Sequence, residues 1–119
     1  MAISEFEIKR CEKELEKFLD EKRPPAHVRA KVDLRYRITG QSVEIFEVRP
    51  RFRNPGEKIE IAVAKTTYVK SRKIWKVYWM RQDLNWHSYP PAPQVRHFEE
   101  FLALVKEDVN ACFFGYHTQ

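Results

Sequence analysis

Residues 74–89 read IWKVYWMRQDLNWHSY. The first half alternates: Trp75, Val77, Trp79 and Arg81 fall on one side of an extended chain, and Ile74, Lys76, Tyr78 and Met80 on the other. Period two predicts a strand over residues 74–81. Gln82-Asp83-Leu84-Asn85 carries turn formers, and residues 86–89 make a short further strand that Pro90-Pro91 ends. The segment holds all three tryptophans of the chain. Aromatics aligned on one strand face are usually buried, so Trp75 and Trp79 are expected to anchor a sheet on a core. An exposed partner-binding patch is the other reading of the same stripe.

Upstream, residues 57–70 form a long strand that a short turn, Ser71-Arg72-Lys73, joins to residue 74. Ile59, Ile61, Val63, Thr67 and Val69 share one face with Lys65, while Ala62, Ala64 and Tyr68 line the other. Apolar residues on both faces imply cover on both sides or a strong curl. Lys65 is either displaced by a bulge, drawn to an edge, or partly buried with a role. Residues 43–53 make the strand before it. There Phe46, Val48, Pro50 and Phe52 share one face, and Glu47, Arg49, Arg51 and Arg53 the other. Val43 and Ile45 fall on the arginine side, so a bulge or twist is expected near Ile45. Pro50 signals an edge or a break, and Asn54-Pro55-Gly56 a turn.

The cleanest alternation spans residues 28–38. Val28, Ala30, Val32, Leu34, Tyr36 and Ile38 interleave with Arg29, Lys31, Asp33, Arg35 and Arg37. Thr39-Gly40-Gln41-Ser42 turns the chain. Two amphipathic helices bracket the strands. The first covers residues 4–20, opens with Ser4 and Glu7 in a capping-box spacing, and carries Ile8, Cys11, Leu15 and Phe18 on one stripe before Pro24-Pro25. The second covers residues 93–109, with Val95, Phe98, Leu102, Val105, Val109 and Cys112 inward. The fold class is α+β in the order α-β-β-β-β-(β)-α: an antiparallel meander of four to five strands flanked by an N-terminal and a C-terminal helix, in a single domain 1–119.

Composition agrees. At 119 residues and 43% hydrophobic, the chain can bury a core without staples. No apolar run approaches the ~20 residues that span a bilayer, so no membrane partner is expected. Charges interrupt the N-terminus within a few residues, leaving no signal core and a cytoplasmic expectation. Cys11 and Cys112 are expected as buried free thiols, although a disulfide between the helices is geometrically open. With four scattered His in no ligand spacing, neither a metal nor a cofactor is indicated.

Charge is uneven. Residues 22–81 carry 16 Lys/Arg against 5 Asp/Glu, a net of +11, while each flanking end is −3. Arg29, Lys31, Arg35 and Arg37 on one strand and Arg49, Arg51 and Arg53 on the next form a seven-cation surface if the two faces coincide. Arginine forks fit phosphates, and exposed rings at Tyr78 and Trp86 could stack bases. The leading reading is a non-enzymatic module binding nucleic acid or another polyanion. The plain alternative is a solvated face whose arginine stems cover apolar area. A second class is a small hydrolase or phosphodiesterase with His87 as acid/base, Asp83 orienting it, and Arg51 or Arg81 on an anionic substrate, with Glu47 and Tyr89 nearby. Against it, Asp83 sits where Asp commonly caps a turn, and no catalytic motif accompanies the set. A third class is an interaction subunit, as a homodimer paired through a strand edge.

The run Ala64-Lys65, Tyr68-Val69, Trp75 to Arg81, Asp83-Leu84, Trp86-His87 and Tyr89, preceded by Arg49-Pro50-Arg51, resembles the small bacterial proteins grouped as DUF3024, a domain of unknown function. The resemblance covers nearly the whole chain. It implies a bacterial origin and a stand-alone soluble domain, and it brings no activity, cofactor or partner.

Overall fold

The computed structural model describes residues 3–28, 32–108 and 112–113. Helix α1 spans Glu5–Lys22. The Ser4 hydroxyl accepts a hydrogen bond from the Glu7 N–H at 3.3 Å, and Glu5 and Glu7 place negative charge in the first turn, where the helix dipole favours it. Cys11, Leu15 and Phe18 form its buried stripe. The helix runs two residues past its expected end. It stops because Arg23 precedes Pro24 and is driven to the extended region, with ψ 137°.

Ala26–Val28 is a 3-10 turn, and strand β1 spans Asp33–Thr39, so the eleven-residue strand expected from residue 28 is shortened. A strand needs a ladder partner as well as alternation. β1 pairs antiparallel with β2, Ser42–Arg51, and the pairing begins at Asp33↔Val48. Arg29 and Lys31 lie outside the described residues.

Strand β3 is Asn54–Val69 and pairs antiparallel with β2. The hairpin loop is Phe52-Arg53, closed by Arg51↔Asn54, and Asn54-Pro55-Gly56 opens β3 instead of forming the expected turn. Pro55 is tolerated there because β4, Ile74–Met80, pairs β3 only from Lys65 to Val69, which leaves the start of β3 without a neighbour on that side. The irregularity expected near Ile45 is present. Ile45 faces Ala64 and Phe46 faces Ala62, so Val63 is the extra residue of a bulge.

After β4 come two short strands, β5 (Trp86–Ser88) and β6 (Gln94–Val95), both antiparallel to β4. The six-stranded sheet runs β1-β2-β3-β4-β5, with β6 on β4 as well. Strand β6 replaces the first turn of the helix expected from residue 93, and helix α2 is Phe98–Glu107. Val95 packs on the core from a strand as well as it would from a helix, and the β4 edge offers backbone partners: the Val77 N–H donates to the Pro93 carbonyl at 3.0 Å. The helix starts where the Glu100 carboxylate accepts from the His97 N–H, also at 3.0 Å.

Both helices pack on one sheet face and on each other. Trp75, 3% exposed, is central: its ring lies 4.8 Å from Tyr68 and 5.1 Å from Phe98, which in turn meets Phe101. Leu34, Val43, Ile45, Ala64 and Val77 come from the sheet side of this core. Thr66 is buried with its hydroxyl donating to the Lys76 carbonyl at 2.7 Å. Arg10 bridges to Glu99 at 3.0 Å and Lys106 pairs with Glu21, joining the helices across the chain's two ends. Cys11 and Cys112 are free thiols; burial pushes Cys11 up to about 12 and raises Cys112. No described helix is long and apolar enough to cross a membrane.

Candidate nucleic-acid interface

The face of the sheet away from the helices is set by register. Tyr36 opposite Ile45 and Val77 opposite Thr66 face the core, so Arg35, Arg37, Phe46, Tyr78 and Met80 alternate to the other side. The bulge at Val63 puts Lys65 opposite Tyr78 on that same side. Displacement by a bulge is thus the expectation for Lys65 that the backbone supports. Its ammonium lies 6.0 Å from the Tyr78 ring centroid and 5.8 Å from that of Trp86, both half-buried. The Arg37 guanidinium sits 4.5 Å over the Phe46 ring. Lys76, exposed, completes the row on β4.

Between these cations runs a groove of about 160 Å³ lined by Glu44, Phe46, Glu60, Ala62, Met80 and Trp86. The face is therefore mixed in charge. Glu60 accepts from Arg37 at 2.6 Å, yet both side chains are about half exposed. A pair this exposed contributes little and is readily exchanged.

The seven expected anion-binding cations do not form one surface. Glu47 pairs across from Leu34, a core residue, so Glu47 and Arg49 lie on the helix side while Arg35 and Arg37 lie on the open side. Arg49 donates to Glu47 at 3.2 Å, and Glu47 is 5% exposed, which commits Arg49 to a buried carboxylate. Arg51 pairs with Glu57 at 3.0 Å near the hairpin tip, and Arg53 is in the loop itself. Arg35 leans on Asp33, which also receives both arms of Arg23, at 2.7 and 2.9 Å, and the Leu34 N–H. The Arg23 hydrogen bonds hold the Asp33 carboxyl at about 2.

The Arg81, Asp83 and His87 set assembles in part. His87 Nε2 lies 2.8 Å from Asp83 Oδ2, and Asp83 Oδ1 accepts from the Asn85 N–H at 3.0 Å. The Asn85 contact, followed by His87, lowers the Asp83 carboxyl. Leu84 takes a left-handed φ of 62° to close the turn. Arg81 instead stands over the Trp79 ring at 5.7 Å, and Arg51 is two strands away at the hairpin tip. His87 pairs opposite Trp79, which packs on the core, so the pair lies on the side away from Tyr78 and Trp86. Among the described residues, no group of three or more His, Cys, Asp or Glu could hold a metal ion.

The family model described as a domain of unknown function (DUF3024) matches residues 3–115. The chain belongs to the DUF3024 family. No match was found among curated proteins or among solved structures. In this DUF3024 chain the condition that fails is the coincidence of the two arginine faces, because Arg35 and Arg37 pair opposite Phe46 and Glu44 and so lie on the side away from Arg49. Phe46, on the strand face expected to carry Val48, Pro50 and Phe52, lies under Arg37 on the open face. The signal was present in the sequence: Val43 and Ile45 fall in step with Glu47 and Arg49, which marks that face of the strand as the core side.

Proposed function

We propose that this DUF3024 domain is a binding module for single-stranded nucleic acid, and that the open sheet face is its platform. What supports the reading is the placement of Lys65 between Tyr78 and Trp86, two half-buried rings around one ammonium, on a face that also carries Arg37, Phe46 and Lys76. Bases stack on such rings at roughly 1–3 kcal/mol each, whatever their sequence, and cations beside the rings neutralise the backbone. The spacing suits the task, since neighbouring strands present side chains about 5 Å apart.

The test is a titration of fluorescein-labelled dT12 and rU12 at 50 and 200 mM salt. Affinity should fall with salt. Tyr78→Ala and Trp86→Ala should each weaken binding about five- to a hundredfold, with the far-UV circular dichroism unchanged. Absence of salt-dependent binding at tens of micromolar protein removes the proposal, and so does wild-type affinity in both variants.

A further inference from the structure

The β2–β3 hairpin continues past its neighbours. β1 covers β2 only as far as Val48, and β4 covers β3 only from Lys65. Beyond that lie Arg49↔Ile59, Pro50↔Lys58 and Arg51↔Asn54, then the loop Phe52-Arg53. Four residues at the strand rise project about 13 Å. Residues 51–58 are all exposed, and the Phe52 ring at the tip is 92% exposed. Residues 49–58 hold four cations and one anion. Arg49 is committed to buried Glu47, whereas the Arg51–Glu57 pair is more than half exposed on both sides and exchangeable.

We propose that this tip is a wedge for duplex DNA: Phe52 enters between two base pairs from the minor groove, and Arg51, Arg53 and Lys58 hold the flanking phosphates. A large ring at the end of a narrow ribbon, surrounded by cations, matches both requirements of such a site. The ring replaces lost base stacking, and the cations offset the phosphates drawn together as the duplex kinks. A protein partner of this size of contact would call for a broader apolar patch, and membrane insertion scales with apolar area that a single ring does not supply. The inference does not depend on the open face, which carries different side chains.

A 30-base-pair duplex labelled at its ends for energy transfer tests it. The wild type should bind at 50 mM salt and bring the ends together. Phe52→Ala should bind within about threefold of wild type but lose the bend. The double variant Arg51→Ala/Arg53→Ala should weaken binding about tenfold or more and lower the slope of log affinity on log salt by about two. Tyr78→Ala should bend DNA normally, which separates this result from the single-strand reading. All these positions are exposed or half-buried, and circular dichroism verifies the fold. The proposal is overturned by no duplex binding at tens of micromolar protein, by bending that survives Phe52→Ala, or by binding to phosphatidylserine vesicles without binding to DNA.

Discussion

Trp75→Ala should lower the stability of the domain by about 3–5 kcal/mol, the largest single loss expected of any substitution on β4. The indole is 3% exposed and fills the space between Tyr68 on β3 and Phe98 on α2. Helix and sheet relax little around such a hole, because Phe98 is itself held by Phe101. Domains of this size are stable by roughly 5–15 kcal/mol, so the variant would be folded with little margin. Urea denaturation reads the effect as a lower midpoint at constant slope. Lys76→Ala, one residue on and exposed, should stay within about 0.5 kcal/mol of wild type. Equal losses at the two positions would contradict the placement of the core on the Trp75 side.

The second large effect is a dependence on acid. Asp33 is 5% exposed and takes a fork of two hydrogen bonds from Arg23, a third from the Leu34 N–H and a longer one from Arg35. Its carboxyl is held at about 2, below the ordinary 3.8. A depressed folded-state value means that the unfolded chain binds the proton first as pH falls. The contribution is complete above about pH 4, declines as pH falls towards 2, and is gone below that. Its size follows from the shift and amounts to about 2 kcal/mol. Asp33→Asn should therefore lose about that much at neutral pH and almost nothing extra near pH 2. Denaturation midpoints at pH 7, 4 and 2 check the sign: the gap between variant and wild type must narrow as the solution becomes acidic.

The two effects also show where sequence was a sufficient guide. The Trp75, Val77 and Trp79 stripe, the helix stripe through Cys11, Leu15 and Phe18, and the proline stops are local patterns, and each states its own geometry. The α+β meander follows from them. Asp33 does not read out locally. It alternates with arginines as though solvated, and it is buried because Arg23, ten residues earlier, folds back over it. The candidate site was obscured for the same reason. Which arginines share a face depends on the β1–β2 register: Arg35 and Arg37 stand opposite Phe46 and Glu44, so the odd-numbered residues of the two strands lie on opposite faces, and a slip of one residue would bring them together. Tyr78 and Trp86 were named from composition, but their convergence on Lys65 needed the strand register. The loop at Phe52-Arg53 displaced an Asn-Pro-Gly turn because the unpaired side of β3 accommodates proline.

The pairing of the first helix with the last has a consequence for the order of events during synthesis. The stripe ending at Phe18 is finished against α2, which begins at Phe98, eighty residues later. At roughly 5–20 residues per second, a ribosome needs about 4–16 s to make that interval. For that time α1 carries its apolar side without its final cover, while the β2–β3 hairpin, whose contacts are close in sequence, is free to form. Mixed folds closed by such distant contacts are slow to complete. The nascent chain should thus pass through a stage with a formed hairpin and an unsealed N-terminal helix, and proteolysis of stalled chains of increasing length would show protection of α1 only after α2 has emerged.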